Sequence, residues 1–165
     1  MDNQRIVDSN VTIATAVEED WEEAMEVAWK TFLKFEAPEY GKEGTDHFLE
    51  FISGEELFKM FLAGEYHVAV AKADGKIVGV VSLRMGNHIS LLFVDEKYHH
   101  MKIATRLLKY AQDEFLIPPE IRLSVNAAPY AIDFYKKVGF VESMELQKTD
   151  GITYLPMMLF SKVNA

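Results

Sequence analysis

Residues 88–94 are nearly all apolar, as expected of a strand buried on both faces, and the two segments after them narrow the fold more than anything else in the chain. Ile103, Leu107, Leu108, Ala111 and Phe115 recur along one helical face, Pro118-Pro119 ends it, and residues 121–125 are again strand-like. A strand, a helix and a strand in that order imply a right-handed crossover and a parallel pair. The strands just before it cannot be joined that way. Residues 66–72 and 76–85 meet at Asp74-Gly75, and residues 76–85 and 88–94 meet at Gly86-Asn87, both hairpin turns. The expectation is therefore a mixed sheet, mostly antiparallel with one parallel step, flanked by helices. Open sheets of this kind bind ligands in a crevice beside strand ends.

The remaining elements fit around that step. Residues 11–14 alternate weakly and predict a short first strand. Glu18, Glu19 and Asp20 open a helix, where negative charge suits the dipole, and Trp21, Met25, Ala28, Phe32 and Leu33 give it one apolar face. Pro38 and Gly41 are expected to end that segment. Residues 46–52 predict a second short helix, and Ser53 with Glu56 predicts a capping box before Leu57, Phe58, Phe61 and Leu62. Further on, Pro129 suits a first helical turn and Gly139 a C-cap around Ala131, Ile132, Phe134, Tyr135 and Val138. Residues 141–147 and 152–160 predict a final hairpin across Thr149-Asp150-Gly151. The whole reads as one α/β domain over residues 1–165, with residues 1–10 a flexible N-terminus.

The 165 residues include no cysteine, which removes disulfide frameworks, thiolate metal sites and a cysteine nucleophile. Net charge is −9, so nucleic acid and anionic membrane are not expected partners, and a cationic partner is weakly favoured. Residues 1–10 lack a signal-peptide core and no apolar run reaches the length of about 20 residues that a membrane helix needs, so a soluble, cytoplasmic protein is expected. Nothing in the sequence decides between a monomer and a homodimer.

The most specific stretch is Val125-Asn-Ala-Ala-Pro-Tyr-Ala-Ile-Asp-Phe-Tyr-Lys-Lys-Val-Gly-Phe140. It resembles the second acetyl-CoA motif of GNAT N-acetyltransferases: Val-Asn at a strand end, Pro-x-Ala entering a helix, Phe134-Tyr135 on it and Gly-Phe leaving it. The likeness extends through the element order from Val11 to Phe160, including Pro156-Met157 in the last hairpin. It implies a GNAT fold, acetyl-CoA as cosubstrate, no metal, and Tyr135 as the group that protonates the leaving thiolate. A phenol with a pKa near 10 is protonated at neutral pH and can donate; the alternative is an ordinary core aromatic on an apolar face. Asn126 is expected to bond pantetheine or substrate, or to satisfy a local turn.

The first family motif is only partly kept. Relatives carry Gln/Arg-x-x-Gly-x-Gly/Ala, whose main-chain N–H groups cradle pyrophosphate at a helix start. The matching run is His99-His100-Met101-Lys102-Ile103-Ala104 followed by Thr105. Ala104 fits, His99 replaces Gln/Arg, His100 stands where a further glycine is usual and Lys102 replaces the motif glycine. A positive φ at Lys102 would cost roughly 1 kcal/mol, and its ammonium could pair with a phosphate. The neighbouring histidines point in different directions and make no zinc site.

Relatives often place a glutamate base at the start of the fourth strand. Here His88 stands there, a base by its neutral imidazole or a solvated strand residue, with Ser90 on the same face. Backbone N–H groups near Phe93 and Val94 are expected to polarise the acetyl carbonyl. The family's acceptor wall maps to Trp29, Phe32, Phe35, Glu36, Glu39 and Tyr40. The resemblance thus implies acetyl transfer to a primary amine of a small molecule or peptide by direct attack. The altered loop leaves a second reading: a CoA-binding or regulatory module without turnover.

Overall fold

The computed structural model describes residues 10–164, so the expectation of a flexible N-terminus lies almost wholly outside the described residues. Strand β1 (Val11–Thr15) leads through a short 3-10 turn into helices α1 (Trp21–Phe35), α2 (Ala37–Ser53) and α3 (Glu55–Leu62). Strands β2 (His67–Ala73), β3 (Lys76–Arg84) and β4 (His88–Val94) are the next elements, antiparallel neighbours in turn. Helix α4 (Ile103–Phe115) then crosses over to β5 (Leu123–Ala127), and short helix α5 (Ile132–Lys137) precedes β6 (Val141–Glu142), β7 (Gln147–Thr149) and β8 (Ile152–Leu159). The sheet order is β1-β2-β3-β4-β5-β8-β6, with β7 paired to β8. The mixed sheet with a single parallel step, β4 beside β5, is as the sequence implied.

Each face of the sheet carries its own core. On one face Val81, Leu83, Ile89, Val94 and Val125 pack against Ile103, Leu107 and Leu108 of α4 and against Tyr135. On the other, Tyr66, Val68, Val70, Val80, Leu91 and Phe93 pack against Trp21, Met25, Ala28 and Phe32 of α1 and Ile52 and Leu57 beyond it. The residues change face between Ile89 and Leu91 because β4 carries a bulge. Leu83 pairs with Ile89 and Ser82 with Leu91, so Ser90 is the extra residue.

That bulge precedes the feature that matters most for function. Strands β4 and β5 pair only at His88 with Ser124 and Ile89 with Val125. Beyond that apex β4 stays with β3 as far as Val94, while β5 runs beside β8 along its whole length, Leu123 opposite Leu159 through Ala127 opposite Leu155. A V-shaped gap therefore opens in the middle of the sheet. Main-chain polar groups on its two edges lack sheet partners across it.

Several local expectations shift. Pro38 does not end α1. It sits in the first turn of α2, where its missing N–H costs nothing, and α2 runs on through residues 46–52 with a kink at Gly41 (φ 68°). The capping box at Ser53 does not form: Gly54 is the N-cap of α3, and the Ser53 hydroxyl donates to the Leu49 carbonyl at 2.5 Å, inside the preceding helix. The β3–β4 turn uses positive φ at Met85 and Gly86 instead of Gly86 and Asn87. Residues 143–146 are not strand, so the last hairpin is the short β7–β8 pair. Gly139 does end its helix, at φ 113°, where an added Cβ would also lie 3.0 Å from Leu159.

Candidate active site

The V-gap continues into a cleft of about 630 Å³ between the end of β4, the start of α4 and the β5–α5 segment. It is lined by Phe93, Val94, His99, His100, Lys102, Ala104, Thr105, Phe134 and Tyr135, so nine of the residues singled out in the sequence meet in one place. Met101 turns inward and packs on the core beneath the loop. Asn126 and His88 do not line this cleft. Asn126 lies within β5, opposite Pro156, and is exposed; it does not come after the strand as expected.

The edge of β4 supplies oriented donors. The Asp95 N–H donates to the Val78 carbonyl at 2.8 Å, which fixes the alternation along the strand. Residues two apart share a hydrogen-bonding direction, so Phe93 N–H also faces β3, opposite Val80, while the N–H groups of Leu92 and Val94 face the gap. Phe93 thus contributes its ring to the cleft, and the donor role passes to Leu92. Seeing this from sequence would have required locating the bulge at Ser90, which no residue pattern announces.

The loop after β4 takes left-handed backbone angles at residues other than glycine. His100 (φ 66°) and Lys102 (φ 59°, ψ 21°) are both left-handed, and Lys102 is the N-cap of α4. The positive φ foreseen at Lys102 is present. The first bond of the helix runs from Arg106 N–H to the Lys102 carbonyl at 3.0 Å, so the N–H groups of Ile103, Ala104 and Thr105 are open at the helix start. No acidic residue occupies that first turn, and the side chains of Lys102 and Lys137 both border the cleft. The dipole, the open donors and two cations suit a phosphate-bearing ligand. His99 turns back instead of outward: its Nε2 lies 2.7 Å from the Val94 carbonyl, which can only accept, so that nitrogen carries the proton. The His99 ring also meets Phe35 at 5.1 Å, and Phe35 stacks on Tyr130 at 5.2 Å. This aromatic ladder ties α1, the loop and the β5–α5 segment together over the cleft.

Tyr135 is 5% exposed, with its ring packed between Phe134 at 5.3 Å and Phe140 at 5.1 Å. Burial raises its pKa well above the ordinary tyrosine value, and the charge of Glu36 and the phenol of Tyr40 raise it further. The hydroxyl therefore stays protonated at neutral pH. Glu36 occupies the corner between α1 and α2. The residue is half-buried, and desolvation, then the charge of the nearby Glu39, pushes its pKa up to about 7 although the Tyr40 phenol acts to lower it. Tyr130 also feels the charge of Glu36. The sequence placed Glu36 in the acceptor wall without a chemical role, because only the fold brings it beside Tyr40, Tyr130 and Tyr135.

His88 stands at the apex of the V on the opposite sheet face from the α4 core. Its Nδ1 lies 2.8 Å from the Ser124 hydroxyl, and desolvation, then the Arg84 charge, lowers its pKa. Among the described residues no group of three or more His, Asp or Glu is arranged to hold a metal ion, and no helix is long and apolar enough to cross a membrane.

The chain matches the model of the acetyltransferase (GNAT) domain over residues 36–160. It is similar in structure to a GCN5-related N-acetyltransferase from Rhodopseudomonas palustris, with a TM-score of 0.77 and 21% identity, covering 91% of this chain and 95% of that one. It is also similar to the PaiA N-acetyltransferase of Thermoplasma acidophilum in complex with coenzyme A (TM-score 0.73, 22% identity, 92% and 99% covered). A third likeness is to spermidine N-acetyltransferase from Vibrio cholerae in complex with CoA and spermine (TM-score 0.63, 16% identity, 92% and 95% covered). No curated protein sequence matches the chain. With the family motif, the V-gap and the domain match in agreement, this chain belongs to the GNAT acetyltransferase family.

Proposed function

We propose that this protein transfers an acetyl group from acetyl-CoA to a primary amine of a small molecule or peptide. The observation that carries the reading is the V-gap with Tyr135 at its side: two main-chain donors of β4, Leu92 and Val94, face the same opening as a buried phenol. In this reading the open N–H groups at the start of α4, with Lys102 and Lys137, hold the pyrophosphate, and Phe93, Ala104, Thr105 and Phe134 bound the pantetheine path. Leu92 or Val94 N–H stabilises the oxyanion as the amine attacks the thioester carbon. The C–S bond then breaks, the Tyr135 hydroxyl gives its proton to the departing thiolate, and the second proton of the attacking nitrogen is released to restore the phenol.

The acceptor arrives as an ammonium and must lose a proton first. Glu36 is the group we assign to that step, because a carboxyl titrating near neutrality beside the acid is matched to the task. His88 is the other base that an observation favours, since its lowered pKa keeps it neutral and able to accept. The fold resemblance to CoA-bound relatives supports the cosubstrate, and the fit of the loop speaks against a module that has lost the site. The test is amine-dependent release of free thiol from acetyl-CoA, with the acetylated amine identified by mass. Equal amounts of thiol and acetylamine are expected from at least one member of a panel of diamines, amino acids and peptides. Thiol release that no amine accelerates would refute the reading.

A further inference from the structure

The face of the sheet beneath α2 carries a polar strip that the acetyl-CoA cleft does not use. It begins with Arg84 and His88, which stand directly opposite each other on β3 and β4 and so point to the same side. Ser124 joins them through its hydroxyl, 2.8 Å from His88 Nδ1, and Asn126 lies two residues further along the same face of β5. Next to Arg84, the hydroxyls of Tyr66, Ser82 and Ser90 close a triangle with edges of 2.5, 2.7 and 2.7 Å. Each of the three has two hydroxyl partners, so this triangle is self-contained. Arg84 is not. Its Nε is enclosed and has no hydrogen-bond partner, and no carboxylate lies within ion-pair distance of it among the described residues. The guanidinium instead lies over the ring of Phe51 from α2, 5.8 Å from its centre.

An arginine stripped of water on one nitrogen and given no counter-charge is an open demand for an anion, and a planar fork suits a carboxylate. Its position says which carboxylate. Arg84 and His88 mark the apex of the V, and Leu92, the first gap-facing donor, pairs with Val81, three residues from Arg84 along β3, roughly 10 Å away at about 3.3 Å per residue. A molecule whose carboxylate rests at Arg84 and whose body runs along the strip past Ser124 and Asn126 would present its other end in the gap. Resting on the acetyltransferase reading above, we propose that the acceptor carries a carboxylate at the end remote from its reacting amine, as an ω-amino acid does, and that Arg84 is the residue that selects it.

Two acceptors of equal chain length separate this from recognition of a plain polyamine. ε-Aminocaproate and cadaverine both carry an amine on five methylenes, and one ends in a carboxylate where the other ends in a second amine. The wild-type protein should acetylate ε-aminocaproate with the higher kcat/KM. Arg84→Gln should lower that value on the order of 10- to 100-fold, mainly through KM, as expected for one lost charge-assisted contact. Its kcat/KM for cadaverine should stay within about 2-fold, and Arg84→Lys should recover part of the loss. An equal loss on both acceptors would overturn the proposal and make Arg84 a structural residue. So would a wild-type preference for cadaverine, or transfer to other amines with neither of these two accepted. Failure of the acetyltransferase reading itself looks different: no amine, of any kind, would then accelerate thiol release.

Discussion

In the proposed function, the two segments that flank the cleft reach their roles by opposite routes. The β5–α5 segment from Val125 to Phe140 keeps its family residues, and it contributes through side chains: a phenol at Tyr135, a ring at Phe134. The loop from His99 to Thr105 has lost most of its family residues, and it contributes through main-chain N–H groups. A side-chain role ends when the residue changes. A main-chain role survives any residue that accepts the backbone angles, and His100 and Lys102 accept left-handed ones at φ 66° and 59°. That tolerance has a cost of roughly 1–2 kcal/mol per residue for a side chain in this region. Single substitutions should therefore be severe in the first segment and mild in the second.

The largest effect is expected at Tyr135. Tyr135→Phe keeps the packing against Phe134 and Phe140 and removes only the hydroxyl. Turnover should fall about 10- to 1,000-fold, since general-acid terms run to about 10²–10⁴ and water can replace part of them. KM for acetyl-CoA should hardly change. Full turnover in a folded variant would reduce Tyr135 to packing and erase the contrast between the segments.

Glu36 comes next. Its folded pKa, about 7, lies above the ordinary 4.5, so the native state holds this proton more tightly than the unfolded chain. Its contribution to stability is therefore full below about pH 4.5 and is lost as pH rises through 7. As a base, Glu36 must be deprotonated, so activity should fall below pH 7 in the wild type. Glu36→Gln should cut kcat/KM by about 10- to 100-fold and flatten that acid limb, while raising the melting temperature at pH 8. Retention of the acid limb in Glu36→Gln, with its loss in His88→Gln, would transfer the base to His88.

Lys102 gives the smallest and most diagnostic effect. Lys102→Gly should stabilise the fold by about 1 kcal/mol by relieving the left-handed strain, and leave CoA affinity within a few-fold. Lys102→Glu should weaken CoA by about tenfold while leaving pantetheine, which has no pyrophosphate, unchanged. Equal weakening of both ligands would show that the loop has been distorted and that no phosphate contact was lost.

What could be read from the sequence divides along the same line. The strand-helix-strand step and the turn at Asp74-Gly75 depend on residue type and spacing, and each is found where expected, as is the short helix that carries Phe134 and Tyr135. The bulge at Ser90 and the switch of donor from Phe93 to Leu92 depend on backbone register, which one residue of slip reverses. The raised pKa of Glu36 and the unpaired Arg84 were hidden for a third reason. Burial and the lack of a partner are made by segments far apart in the chain: Glu36 with Tyr130 and Tyr135, Arg84 with Phe51.

The proposed function requires that the altered loop and the intact segment still form one acetyl-CoA site. Calorimetric titration of the wild-type protein with acetyl-CoA tests this without any knowledge of the acceptor. One site per chain is expected, with a melting temperature that climbs with ligand concentration, by about 2.7 kcal/mol of added stability at a hundred times Kd. No heat and no shift at millimolar acetyl-CoA would mean that the loop and the segment no longer make a site.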